Sequence, residues 1–332
     1  MWLRSSLILL ALPLALPACA ISQANAPSVV SAVRAAEPDN LTDLVGFLCP
    51  MHPDHTSEAP GACPICGMAL VQGALYDFRD YALEIETVPA VPEPGETLTV
   101  NLRVSHPETG ETVKNFELVH DRRYHLFVIS QDMEFFEHIH PREGEDGTWS
   151  IEVVLPKPGF YVLLSDFAPS GGSSQFLVRP LVTAGYSGDL LGEGARLVPD
   201  TTRTHTVDDL TAAISYDPGT LRAATYGHMN FQLTRTATGE PVRELQTYLG
   251  SFGHMLIMSE DMVEHVHAHP VALLPQGFDP EELKGGPDVL FEGLMPKAGR
   301  YRAWTQFRYQ DKLYTFVNTF EVFDVGQRAA SP

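Results

Sequence analysis

Between residues 77 and 325, apolar and polar positions alternate in short runs separated by turn-forming residues. Leu98–Val104 alternates, and Tyr124–Ile129 is a nearly unbroken apolar run. Trp149–Leu155 and Phe160–Phe167 flank Pro156-Lys157-Pro158-Gly159, a hairpin signal, and Gln175–Val182 follows. Few stretches keep a helical period. Roughly six or seven short strands in about 100 residues, each with a face to bury, predict an immunoglobulin-like β-sandwich.

The pattern then repeats. A shift of 129 residues places Asp80 on Asp209, Ile85 on Ile214, Asn101 on Asn230, and continues to Pro141 on Pro270. After an insertion of 11 residues around Gln276–Gly286, a shift of 140 sets Pro156-Lys157 on Pro296-Lys297, Tyr161 on Tyr301, Phe167 on Phe307 and Phe176 on Phe316. The predicted fold class is therefore mainly β: two tandem sandwiches, at 77–184 and 207–325, joined by a linker at 185–206 and followed by a tail at 326–332. Tyr161, Tyr301, Phe167, Phe307 and Trp304 are expected in the sandwich cores.

Composition changes this picture little. The 26 Pro and 26 Gly suit a turn-rich β protein. A formal net charge of -20 with no basic run argues against a nucleic-acid partner. The N-terminus adds more. Arg4, the apolar run Leu7–Leu16 and the small residues Ala18 and Ala20 read as an export signal, too short to span a bilayer. Leu16-Pro17-Ala18-Cys19 resembles a bacterial lipoprotein box, which would place a lipid on Cys19 and hold the protein on the periplasmic side of a membrane. Ala18-Cys19-Ala20 also fits an ordinary cleavage site that releases a soluble protein. The lipoprotein reading accounts for Cys19 and is preferred. Residues 20–44, rich in Ala, Ser, Asn and Pro, read as a tether.

Residues 45–76 carry the densest chemistry. Cys49, His52, Cys63 and Cys66 follow the spacing C-x2-H-x10-C-x2-C, two knuckles that can converge on one ion. The segment is too poor in apolar side chains to fold unaided, and a structural zinc supplies an apparent ~10–16 kcal/mol. Three thiolates and an imidazole suit Zn(II), whereas thiolates with thioethers suit Cu(I). In Cys49-Pro-Met-His-Pro53 and Cys63-Pro-Ile-Cys-Gly-Met68 the segment resembles the heavy-metal-binding domain found in efflux-pump adaptors and copper-transporting ATPases. That resemblance implies Cys49, Met51, His52, Cys63, Cys66 and Met68 as the candidate ligands. It also implies handling of copper, silver or zinc, with a membrane efflux or metal-transfer protein as partner. Ala69 departs from the family, which often has an acidic residue there.

Within the duplication, His125, Ser130, Asp132, Met133, His138, His140 and Pro141 recur as His254, Ser259, Asp261, Met262, His267, His269 and Pro270. A hairpin turning near Asp132 sets His125 opposite His140 with His138 on the same face. The same face of the second copy adds His265 and Met258. Each copy thus offers its own candidate Cu(II) or Zn(II) site, unless the histidines merely fix a turn. His106, His120, His205 and His228 lack repeat partners and are expected at the surface. The sandwiches also look like poorly characterised exported β-sandwich domains, which implies a fold and no reaction. Without a nucleophile elbow, HExxH, phosphate loop or dinucleotide fingerprint, no enzyme is expected. The sequence reads as an exported metal-binding protein for buffering, transfer or resistance, or as an adaptor whose metal is structural.

Overall fold

Every regular element among the described residues is a β-strand, as the alternation predicts. The computed structural model describes residues 44–326 other than 51, 53–54, 66, 76–78, 190–191, 193, 272–278 and 280–281. The expected export signal, Cys19 with its expected lipid, the expected tether, part of the insertion and the tail lie outside the described residues. Among the described residues, no helix is long and apolar enough to cross a membrane.

The N-terminal segment is a three-stranded antiparallel sheet of Thr56–Ser57, Val45–Leu48 and Val71–Ala74. The first sandwich pairs Ala82–Val88, Thr97–Ser105, Trp149–Val154 and Arg142–Glu143 in one sheet. Its second sheet runs Gln175–Val182, Phe160–Phe167, Tyr124–Ser130, Phe136–Ile139. In the second sandwich one sheet holds Thr204–Val207, Leu210–Asp217, Tyr226–Arg235 and Asp288–Leu294. The facing sheet is built on Lys312–Val322, Gly299–Tyr309, His254–Ser259 and His265–Ala268. Leu98, Leu102, Tyr161 and Phe167 fill the first core, and Phe231, Phe291, Tyr301 and Phe307 the second.

The apolar runs now find their reason. Every residue of Tyr124–Ser130 and of His254–Ser259 is buried, because both faces of these strands are covered. Leu126 and Val128 point into the first core. Phe127 and Ile129 point the other way, into a third cluster with Val162, Leu164, Leu256, Met258 and Trp304. Leu256, Met258 and Trp304 are the repeat counterparts of Phe127, Ile129 and Leu164. The two sandwiches therefore pack sheet against sheet through equivalent outer faces, like the halves of a two-fold dimer. Trp304, expected in a sandwich core, belongs to this interface and stacks on Phe136 with ring centroids 4.9 Å apart. The linker follows the same seam. Leu197 is buried in it, and Ala195 N–H donates to the Gln131 carbonyl at 3.0 Å.

Repeated polar residues explain the repeated turns. Tyr161 donates its hydroxyl to the Lys157 carbonyl, and Tyr301 does so to Lys297, both at 2.8 Å. In the histidine hairpins, Ser130 donates to Asp132 at 2.5 Å and Ser259 to Asp261 at 2.6 Å. Lys157 and Lys297 pair with the same two carboxylates. Met133 and Met262 sit at φ 60° and 59°, the left-handed position each turn requires. Partial burial alone would raise the Asp132 and Asp261 pKa values. Hydrogen bonds from the lysine and serine outweigh it and hold both carboxyls below the ordinary 3.8. A carboxyl lowered on folding stabilises fully above its unfolded pKa and loses that contribution as pH falls through the folded one. The native chain is therefore expected to be more stable than Asp132→Asn/Asp261→Asn at neutral pH. Denaturant titrations should show that advantage shrinking once pH drops below 3.8.

Candidate metal centres

The strand Val45–Leu48 delivers Cys49 into a tight loop in which Cys49 N–H donates to the His55 carbonyl at 3.1 Å. The second knuckle is closed by Cys63 N–H to the Met68 carbonyl at 2.7 Å and by Gly67 N–H to the Cys63 carbonyl at 2.8 Å. Gly67 takes φ 76°, where a side chain would be strained. Cys49 Sγ and Cys63 Sγ each lie 3.7 Å from His52 Nδ1, and all three donor atoms fall within 4.8 Å of one another. Both sulfurs are fully buried, and Cys63 carries a free thiol. Among the described residues, the apolar cluster around them is Leu70 and part of Phe47. Two thiols and an imidazole under so thin an apolar cover fit a thiophilic ion that also holds the fold. Met68 is half-buried; Met51 and Cys66 lie outside the described residues.

The histidine hairpins have the register the sequence predicts. Phe127 pairs with His138 and Leu126 with Ile139, which sets His125 against His140. In the second copy Leu256 pairs with His267 and Met255 with Ala268, setting His254 against His269. His125, His138 and His140 come together as expected, whereas the second set also takes in His120 of the first sandwich. Because the two sheets pack outer face to outer face, both histidine sets point into the same seam. Ring centroids of His125 and His254 are 6.5 Å apart, those of His138 and His254 5.9 Å, and those of His125 and His267 5.6 Å.

His120 also corrects its expectation. It is buried, not at the surface, and stacks on His269 with centroids 3.4 Å apart. It sits at φ 49° in the turn Val119–Arg122, whose repeat counterpart carries Leu249 at φ 54°. Comparing the copies position by position passed over it for lack of a partner. His265 is turned away from the other histidines and packs on Phe176 at 4.3 Å, while Met258 joins the apolar seam. His205 and His228 pair with Asp200 and Glu292, and His106 accepts a turn N–H from Glu108.

Hydrogen bonds define the tautomers. His125 Nε2 faces the Val119 carbonyl at 3.0 Å and must carry the proton there. His267 Nδ1 donates to Asp166 at 2.6 Å, and His138 Nδ1 to the Gln306 amide oxygen at 3.0 Å. Gln306 is oriented by its own Nε2–H donating to Thr315 at 3.2 Å. Asp166 and Gln306 are repeat counterparts, so each sandwich orients a histidine of the other across the seam; neither stood out in the sequence. What remains is a set of ring nitrogens that meet no group outside the cluster, and each neutral ring among them offers one lone pair. His125 Nδ1 and His138 Nε2 face each other at 3.0 Å. His140 Nε2, His267 Nε2, His120 Nε2 and both nitrogens of His254 and His269 are buried without a hydrogen-bond partner. Burial lowers the His125 pKa to about 4 despite the opposing charge of Asp166, and lowers His140 to about 3. Burial, then mutual repulsion, holds His120, His138, His254 and His269 well below the ordinary value.

The fold and these donors define an all-β protein of tandem sandwiches preceded by a heavy-metal-binding module. Residues 47–72 match the heavy metal binding domain family. Residues 78–180 and 205–324 each match a domain of unknown function, DUF8832, and the chain belongs to that family. No curated protein matches it. Among solved structures it is similar to FdeC, an Escherichia coli adhesin, at 11% identity over 75% of this chain and 66% of that one, TM-score 0.23. It is also similar to the adhesin InvE of Yersinia pseudotuberculosis at 9% identity, covering 73% of this chain and 60% of that one, TM-score 0.23. Two fibronectin type III domains of chicken tenascin match at 10% identity over 73% of this chain and 100% of that one, TM-score 0.19. The chain spans less than two-thirds of the length of the two adhesin structures. Likeness at this level carries no argument about function.

Proposed function

We propose that this protein is an exported, lipid-anchored carrier or buffer of copper or zinc, acting without catalysis. It would work beside a membrane efflux or metal-transfer protein in metal resistance. The convergence of Cys49, Cys63 and His52 within one ligand radius, inside a segment that matches a heavy metal binding domain, carries this reading. Thiolates with an imidazole select borderline-to-soft ions such as Zn(II) and Cu(I) over hard ones. The export signal and Cys19 support a place outside the cytoplasm.

A second reading is favoured by the complete burial of both sulfurs. Closed, fully covered sites are typical of structural ions, and in that case the module is a metal-stapled adaptor. Equilibrium dialysis against Zn(II) and Cu(I) tests the shared claim. The native chain is expected to hold one more ion than Cys49→Ser/Cys63→Ser, and equal stoichiometry would overturn it. The exchange rate of that ion with a chromophoric chelator separates a carrier (seconds to minutes) from a structural staple (hours).

A further inference from the structure

The seam between the sandwiches holds more chemistry than the cysteine module requires. We propose that the two sandwiches together form a dinuclear histidine centre for divalent borderline ions, Zn(II) or Cu(II). One ion is held by His125, His138 and His140, the other by His120, His254, His269 and His267.

The division follows from geometry. The donor atoms of His125, His138 and His140 lie within 4.8 Å of one another, as do those of His120, His254 and His269. Between the sets, ring centroids stand 5.6–6.5 Å apart. Ligands bind Zn(II) at ~2.0–2.1 Å, so one ion cannot gather both sets without dismantling the hairpins. His267 completes the second set. Its ring is 4.4 Å from His269, and Asp166 fixes its proton on Nδ1, leaving Nε2 to the ion.

Electrostatics leaves few other occupants. Two imidazole lone pairs meeting at 3.0 Å repel unless a proton or a cation lies between them. Buried nitrogens without partners are costly, and nitrogen-only donors suit Zn(II) and Cu(II). The non-ligating nitrogens already meet the Val119 carbonyl, Gln306 and Asp166, the outer partners that orient metal-bound histidines elsewhere. A cavity of about 410 Å³ bordered by Asp121, Arg122, Tyr248 and Asp311 opens beside the seam, and the Tyr248 ring is 5.4 Å from His254.

The second set takes His120 from the first sandwich and its other ligands from the second. Its ion therefore ties the sandwiches together. His120 has no counterpart in the repeat, so the tie is made once and the centre is asymmetric.

The test uses the full chain carrying Cys49→Ser and Cys63→Ser, so that it stands apart from the module. Stripped with chelator and dialysed against Zn(II) alone, this protein is expected to retain two ions. Adding His138→Ala/His140→Ala should leave one, as should His254→Ala/His269→Ala. His120→Ala should weaken one ion at least tenfold and leave the other unchanged. Retention of two ions in both double variants, or of none in the unsubstituted seam, would overturn the proposal. So would a maximum of one. Electron paramagnetic resonance of the seam-intact protein needs no destabilising variant. Two equivalents of Cu(II) should give a half-field transition from spin coupling with nitrogen hyperfine structure, absent at limiting zinc-blocked occupancy. Two uncoupled signals would count against a shared centre.

Discussion

Trp304→Ala is expected to lower the free energy of unfolding by about 3–5 kcal/mol and to loosen the two sandwiches from each other. The indole is 2% exposed, lies flat on Phe136 of the other sandwich at an interplanar angle of 6°, and packs with Phe127, Leu164 and Met258. Truncation leaves a cavity in the middle of the sheet-to-sheet contact. The cost should appear as a lower denaturant midpoint, together with faster proteolysis of the linker that carries Leu197 into the seam. Its repeat counterpart gives the control. Leu164→Ala removes fewer atoms from the same cluster and should cost about 2–4 kcal/mol. A Trp304→Ala midpoint equal to that of the native chain would show that the sandwiches are not held by this cluster.

Removing the module's ion should unfold residues 45–75 and leave both sandwiches intact. Apart from Cys49 and Cys63, the module's core is Leu70 and part of Phe47, so an ion supplying an apparent ~10–16 kcal/mol decides whether the segment folds. Contact with the first sandwich, through Ala74 N–H to the Gly171 carbonyl at 3.1 Å, is too slight to replace it. Hydrogen exchange is the direct measure. After exhaustive chelation, or in Cys63→Ser, amides of Val45–Leu48 and Val71–Ala74 should lose protection while those of Tyr124–Ser130 keep theirs. Protection of the module that survives chelation would mean the chain folds it unaided.

The sandwich fold was legible because its signals are local. Alternation, the Pro-Lys-x-Gly-x-Tyr hairpins and the Ser-x-Asp-Met turns each act within a few residues, and the duplication states them twice. The hairpin register followed from the same turns, so His125, His138 and His140 could be placed on one face, as could His254, His267 and His269. His120 was misplaced because it stands in a turn where the other copy has Leu249. His265 was placed on the right face, yet Phe176 holds it away from the other rings.

The sequence by itself determined that the chain is built of short strands, which hairpins form and which of their side chains share a face, since each depends on chain neighbours and on a period of two. It showed Tyr124–Ile129 as a nearly unbroken apolar run, which does not say what covers either face. Only the tertiary structure decided that the cover is the other copy. Packing one sheet on another joins residues more than 100 positions apart, and a pattern of apolar positions records the demand for burial but not the identity of the surface that meets it. Asp166 opposite His267, Gln306 opposite His138 and His120 on His269 all follow from that one contact, and with them a single shared histidine cluster in place of two separate ones.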